Sequence, residues 1–133
     1  MTKKFRAWDG AKFVSVQKLE FIPAEKSFTG KAGFNINDHL GVPENYVHQW
    51  TGLFDKNGRE IYEGDIVLYH PQPNSAKTNC EVVSCAGGFR LARLHSKKGV
   101  LLGAFVETSG KVETLRVIGN VFENPLDNSK PTD

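Results

Sequence analysis

Turn-forming residues recur along this chain, and the pieces between them show no amphipathic helix of ordinary length. Asp9-Gly10, the Asn57-Gly58 pair inside Asp55-Lys56-Asn57-Gly58, Glu63-Gly64-Asp65, Gly87-Gly88 and Thr108-Ser109-Gly110 stand between short apolar runs. Glycine at positive φ and Asn or Asp in tight turns close hairpins between strands. The runs between them are rich in Val, Ile, Phe, Tyr and Trp, residues that suit a pleated, half-buried surface. Lys3 to Trp8, Lys12 to Gln17, Tyr46 to Phe54, Thr78 to Cys85, Phe89 to His95, Val100 to Val106 and Val112 to Phe122 read as strands, with a kink at Gly52 and a bulge at Gly119; Arg59 to Tyr62 is a short extended piece, and Leu19 to Phe28 is a weaker run broken by Pro23. Ile66 to His70 is apolar on both parities, the pattern of a strand buried on both faces. The pattern predicts a mainly β fold of about seven to eight short strands in a small barrel-like or sandwich arrangement, with little helix and an SH3-like barrel element within reach.

Size and composition agree with one domain. The 133 residues, 39% of them apolar, are enough to bury a core without metal or disulfide support. Residues 1–126 read as a single β-rich domain and residues 127–133 as a polar tail. Within the domain, residues 29–46 show no clear period; they predict a loop of variable length, with one helical turn capped by Asn37 or Asp38 before Pro43. The N-terminus is charged but has no apolar stretch behind it, and no run is long enough to span a bilayer, so a cytosolic protein without membrane association is expected.

Charge excludes little by itself. The formal net charge is +2, too small for bulk steering of a polyanion. Residues 1–31 and 71–106 are basic and residues 32–70 and 107–133 acidic, so a basic surface requires that separate segments fold together.

Three pieces of the chain carry a resemblance. The central segment reads Gln49-Trp50-Thr51-Gly52-Leu53-Phe54-Asp55-Lys56-Asn57-Gly58-Arg59-Glu60-Ile61-Tyr62-Glu63-Gly64-Asp65-Ile66-Val67. Lys4-Phe5-Arg6-Ala7-Trp8-Asp9 precedes it, and Val117-Ile118-Gly119-Asn120-Val121-Phe122-Glu123-Asn124-Pro125 follows. In this order they resemble the YopX family, small proteins encoded by bacteriophages and prophages. The resemblance implies a β-rich fold, a phage or prophage origin and a place of action in the host cytoplasm. It brings no reaction and no functional residues. Read physically, Glu63-Gly64-Asp65 ahead of apolar residues is a strand-entry turn in which the Asp side chain accepts bonds from turn amides.

Chemistry finds weak footholds. Glu63 and Asp65 are the best candidates for paired acids in a metal-dependent hydrolase, although acids beside turns are usually solvated. Cys80 and Cys85 lie an odd number of residues apart on one strand and face opposite sides, so they cannot chelate together. His39, His48, His70 and His95 show no ligand spacing. Thr29-Gly30-Lys31 lacks the remainder of a phosphate loop. No catalytic residue, metal or cofactor is expected. Binding is the better reading. Tyr46, Trp50, Tyr62 and Tyr69 are amphipathic residues of the kind enriched at interfaces, and they point to a protein partner or to self-association as a homo-oligomer. The alternative is a small nucleic-acid-binding β module using Arg90, Arg93, Lys97 and Lys98 beside Phe89 and His95. Arg90 and Arg93 have opposite strand parity, which works against one flat basic face.

Overall fold

A computed structural model of the chain describes residues 4–27, 30–70, 72–85, 88–93, 99–101 and 110–123. The backbone separates into two units, Thr2–Gln49 and Trp50–Asp133.

The N-terminal unit begins with the hairpin β1 (Phe5–Trp8) and β2 (Phe13–Ser15). Asp9 and Gly10 do close it, as the sequence predicts, but through a four-residue connection, because Trp8 pairs with Phe13. The Asp9 main-chain N–H donates to the Lys12 carbonyl at 2.9 Å, and its Oδ1 accepts the N–H groups of Ala11 and Lys12, both at 2.8 Å. β3 (Leu19–Ile22), β4 (Gly33–Ile36) and β5 (His39–Pro43) form a three-stranded antiparallel sheet. Pro23 ends β3 and is followed by a 3-10 turn, Ala24–Lys26. A second 3-10 turn, Glu44–Tyr46, leads into β6 (Val47–Asp55), whose first residues pair antiparallel with β1.

Residues 33–43 correct the expectation of a loop. Ile36 pairs with His39, so Asn37-Asp38 is a two-residue hairpin connection, and both residues have positive φ, 50° and 71°. Left-handed backbone at both central positions is the type I′ form of such a connection, and Asn and Asp are among the non-glycine residues that accept it most readily. The helical turn expected in this stretch follows Pro43 instead of preceding it. Gly33 permits the close approach of β4 to β5, since a Cβ there would lie 2.8 Å from the Val42 carbonyl oxygen. The Asn37 side chain then ties the hairpin to the chain before β3. Its Oδ1 accepts from the Gln17 and Lys18 N–H groups at 2.7 and 3.0 Å, and its Nδ2 donates to the Ser15 carbonyl at 2.8 Å.

The C-terminal unit holds the rest of β6 with β7 (Glu60–Tyr62), β8 (Asp65–Tyr69), β9 (Thr78–Cys85), β10 (Gly88–Arg93), β11 (Gly99–Leu101), β12 (Lys111–Val112) and β13 (Leu115–Asn120). β7 pairs antiparallel with β6, with the register shift between Trp50 and Leu53 that Gly52 suggested, and β12 adds to β6 in parallel. The larger sheet runs β11–β10–β9–β8–β13, antiparallel throughout, with the expected bulge between Val117 and Gly119. Ile66, Val67 and Leu68 of β8 are all buried. Ile61, Val67, Val82, Leu91, Val112, Leu115 and Val117 make the core with Cys80, and Leu53, Tyr69 and Phe89 pack on it. Burying each large aliphatic side chain contributes about 1.5–3 kcal/mol. The mainly β class with little helix is as expected. The described strands outnumber the seven or eight predicted and close no barrel. The excess comes from two- to four-residue strands, too short to show a period in sequence.

Asp55 fastens this unit. Its side chain is 1% exposed. Oδ1 accepts the N–H groups of Asn57 and Arg59 at 2.9 Å each, which shapes the turn between β6 and β7. Oδ2 accepts the Val117 N–H at 2.9 Å. Main-chain bonds from Lys56 to the Leu115 carbonyl and from Phe54 to the Gly110 carbonyl, both 2.9 Å, run alongside. Replacing Asp55 by Ala strands these three donors. The expected cost is about 3–5 kcal/mol, and Asp55→Asn, which keeps one acceptor oxygen, should lose less. Urea titration of both variants against the parent chain checks the order.

Candidate binding cleft

The N-terminal unit contains a cleft of about 540 Å³, within the range of pockets that hold small molecules or short peptide segments. Four pieces of chain build it, one of them β2 through Val14. The end of β1 and its turn supply Trp8 and Asp9, β4 and β5 supply Ile36, Val42 and Pro43, and the 3-10 turn supplies Tyr46. Ala7 and Ile36, each 2% exposed, form its buried base. The lining is mostly apolar and aromatic, and it is placed by hairpins whose registers are fixed by the Asp9 and Asn37 side chains.

Trp8 is held edge-on to Phe13, with ring centroids 5.0 Å apart. The Arg6 guanidinium lies 3.7 Å above the Phe13 ring, and Arg6 Nη2 is 3.5 Å from His48 Nδ1. His48 is directly opposite Arg6 across β1 and β6 and is buried. Burial, and then the neighbouring guanidinium, lowers its pKa to about 4, against a hydrogen bond with the Asn45 backbone that works the other way. At neutral pH the imidazole is therefore uncharged and available to the cation as an acceptor. Asp9 carries the formal charge at the cleft. The N–H groups of Lys12 and Ala11 hold its carboxyl below the ordinary aspartate range, so it is anionic at neutral pH.

Of the four expected interface residues, Tyr46 lines this cleft. The other three lie in the C-terminal unit. Trp50 Nε1 donates to the Leu53 carbonyl at 3.1 Å, and its ring meets Phe54 at 5.5 Å. Tyr62 is buried at 9% exposure, and Tyr69 packs on the core. Sequence reasoning did not single out Trp8, Val42 or Pro43 as binding residues. The signal that brings them together is Asn37-Asp38, read as a hairpin turn rather than a helix cap.

Of the two candidate acids, Asp65 serves its own turn. Asp65 is 1% exposed and its Oδ2 accepts the Tyr62 N–H at 2.7 Å, the turn role foreseen for it. Glu63 instead lies near Glu81, whose carboxyl is pushed up first by burial and then by the Glu63 charge. Among the described residues no three His, Cys, Asp or Glu side chains form a metal-binding group, and Cys80 is buried. Arg90 is half-buried on β10, opposite Val83 and Leu101. Arg93 lies three positions further along that strand. Its side chain, with Lys97 and Lys98, falls outside the described residues. Among the described residues no helix is long and apolar enough to cross a membrane.

The depressed His48 pKa makes stability depend on pH. The unfolded chain takes up a proton near pH 6.5 and the folded chain only near 4. The contribution of the neutral imidazole is complete above 6.5, falls as the pH drops through that interval, and levels off below it. The expected loss is about 2–3 kcal/mol. His48→Gln should remove it, so the stability gap between parent and variant narrows on going from about pH 7 to about pH 4.5. Urea midpoints at the two pH values read this directly.

Comparisons with known proteins agree with the fold. The protein yopX from Bacillus subtilis superimposes with a TM-score of 0.57 at 21% identity, over 94% of this chain and 97% of that one. The protein EF1440 from Enterococcus faecalis superimposes with a TM-score of 0.54 at 24% identity, over 94% and 96%. No curated protein matches the sequence. The profile of the YopX protein family matches residues 4–127, and the chain belongs to that family.

Proposed function

We propose that this YopX-family chain is a non-catalytic binding module that engages a protein partner, as a phage- or prophage-encoded accessory protein in the host cytoplasm. One observation carries the reading: the apolar, aromatic cleft bounded by Trp8, Val42, Pro43 and Tyr46, with the Asp9 carboxylate beside it. Aromatic side chains that already have rigid neighbours lose little conformational freedom on binding, and such residues dominate the energetics of protein interfaces. Trp8 is fixed by Phe13, and Pro43 by its ring. Asp9 favours a ligand segment bearing a cation at that end of the cleft. The buried acids Asp55 and Asp65 support the same reading, because their carboxylates bond to main-chain N–H groups.

Peptides selected by the intact chain from a random peptide library test the cleft. Trp8→Ala, with its fold verified by circular dichroism, should weaken the selected peptides by about 10- to 30-fold. Asp9→Asn should weaken those with a basic residue more than those without. Affinities unchanged by Trp8→Ala would remove the cleft from the interface.

A further inference from the structure

We propose that the open edge of β3 accepts an extended segment of the partner as an added strand, with the pattern apolar, basic, apolar. This inference rests on reading the chain as a protein-binding module, but it concerns a surface separate from the lining of the cleft.

β3 lies at one end of its sheet, β3–β4–β5. The Asn37 N–H donates to the Lys18 carbonyl, so Lys18 directs its main-chain groups toward β4. Alternation along the strand then turns the N–H and C=O groups of Leu19 and Phe21 to the open side. These two residues are also the exposed large hydrophobics of the described chain, at 38% and 53%. They share one face of the sheet, and the Phe21 ring meets Phe34 of β4 edge-on at 5.6 Å, so the apolar surface continues inward from the edge. Backbone donors and acceptors beside a pair of exposed apolar side chains are the elements of strand addition.

Among the described residues, the edges of β13, β2 and β5 are blunted. The Val117 N–H of β13 is taken by Asp55, and its Leu115 carbonyl by Lys56. The Ser15 carbonyl of β2 is taken by Asn37. β5 ends in Pro43 and pairs irregularly with β4. Within Leu19–Ile22 there is no proline, lysine or bulge, the usual devices against edge pairing.

Charge decides what can pair there. Glu20 is exposed on the opposite face, with Oε1 accepting from Asn35 Nδ2 at 2.8 Å. A second copy set antiparallel with Leu19 against Phe21 would place Glu20 opposite Glu20, and like charges directly opposite each other destabilise a sheet. A register shifted by two residues one way would set Pro23, which has no N–H, against Leu19; shifted the other way it would call on the Gln17 N–H, which is already donated to Asn37 Oδ1. A partner with Lys or Arg opposite Glu20 and apolar residues on either side meets neither penalty.

The same random peptide library, presented to the intact chain, decides the matter. The enriched peptides should share an apolar, basic, apolar core. Glu20→Lys should change the preferred central residue to an acid, and Phe21→Thr should weaken binding by about tenfold. Both positions are exposed, so the fold should be kept, as circular dichroism would verify. Peptides without the pattern, or indifferent to both substitutions, overturn the proposal. If they still depend on Trp8, the binding module stands and the edge alone is lost. A dimer in light scattering that Phe21→Thr dissociates assigns the edge to a second copy and also overturns it. No enrichment over Phe21→Thr with Trp8→Ala overturns both readings.

Discussion

The C-terminal unit depends on a carboxylate placed where no charge would rest without partners. Removing an ionised carboxyl from water costs several kcal/mol even after relaxation, so Asp55 can be buried only because three N–H groups converge on it. Two of those donors belong to its own turn. The third comes from Val117, 62 residues later. One side chain thus sets a local turn and a long-range strand position together, and neither is fully satisfied without the other. The Val117 donor lies at the bulge of β13, where the register shifts between Val117 and Gly119. An interruption of the ladder there becomes a point of attachment.

A similar economy holds the N-terminal unit. Asn37 adopts a left-handed backbone that lets β4 and β5 meet over two residues, and its amide spans Ser15, Gln17 and Lys18. With strands of three to five residues, main-chain ladders alone provide few bonds per strand. Side-chain amides and carboxylates aimed at the main chain supply the rest. This explains why polar residues at turns, rather than a large aliphatic core, fix the registers that place Trp8, Pro43 and Tyr46 around the cleft.

The legibility of the fold follows from this division. The turns at Gly10, Gly58 and Gly64, the kink at Gly52, the bulge at Gly119 and the two-sided burial of β8 were readable because each is a local demand written at one position; the turns read at Gly87-Gly88 and Thr108-Ser109-Gly110 fall partly outside the described residues. The role of Asp65 as a turn acceptor was readable for the same reason. The β4–β5 hairpin was not, since Asn37-Asp38 serves a helix cap and a left-handed turn with the same side-chain chemistry, and only the pairing of Ile36 with His39 decides between them. The cleft was hidden behind that ambiguity, because it joins Trp8 to residues that had been read as loop. Burial of Tyr62 was equally hidden: alternation marks it as strand but does not say which face the core covers.

The longest of the three segments that carry the family resemblance is also the segment most fully occupied with folding. Between Gln49 and Val67, Thr51 bonds to the Ile61 carbonyl, Asp55 fastens the β6–β7 turn and β13, and Asp65 closes the turn into β8. Ile61 and Val67 are fully buried. A motif built in this way reports shared architecture. Its acids attract attention as catalytic candidates, yet their oxygens bond to main-chain N–H groups. The open β3 edge lies outside all three resembling pieces, whereas the cleft takes Ala7, Trp8 and Asp9 from the first of them and the rest of its lining from outside. Sequence resemblance therefore locates the chain in its family chiefly through residues committed to the fold.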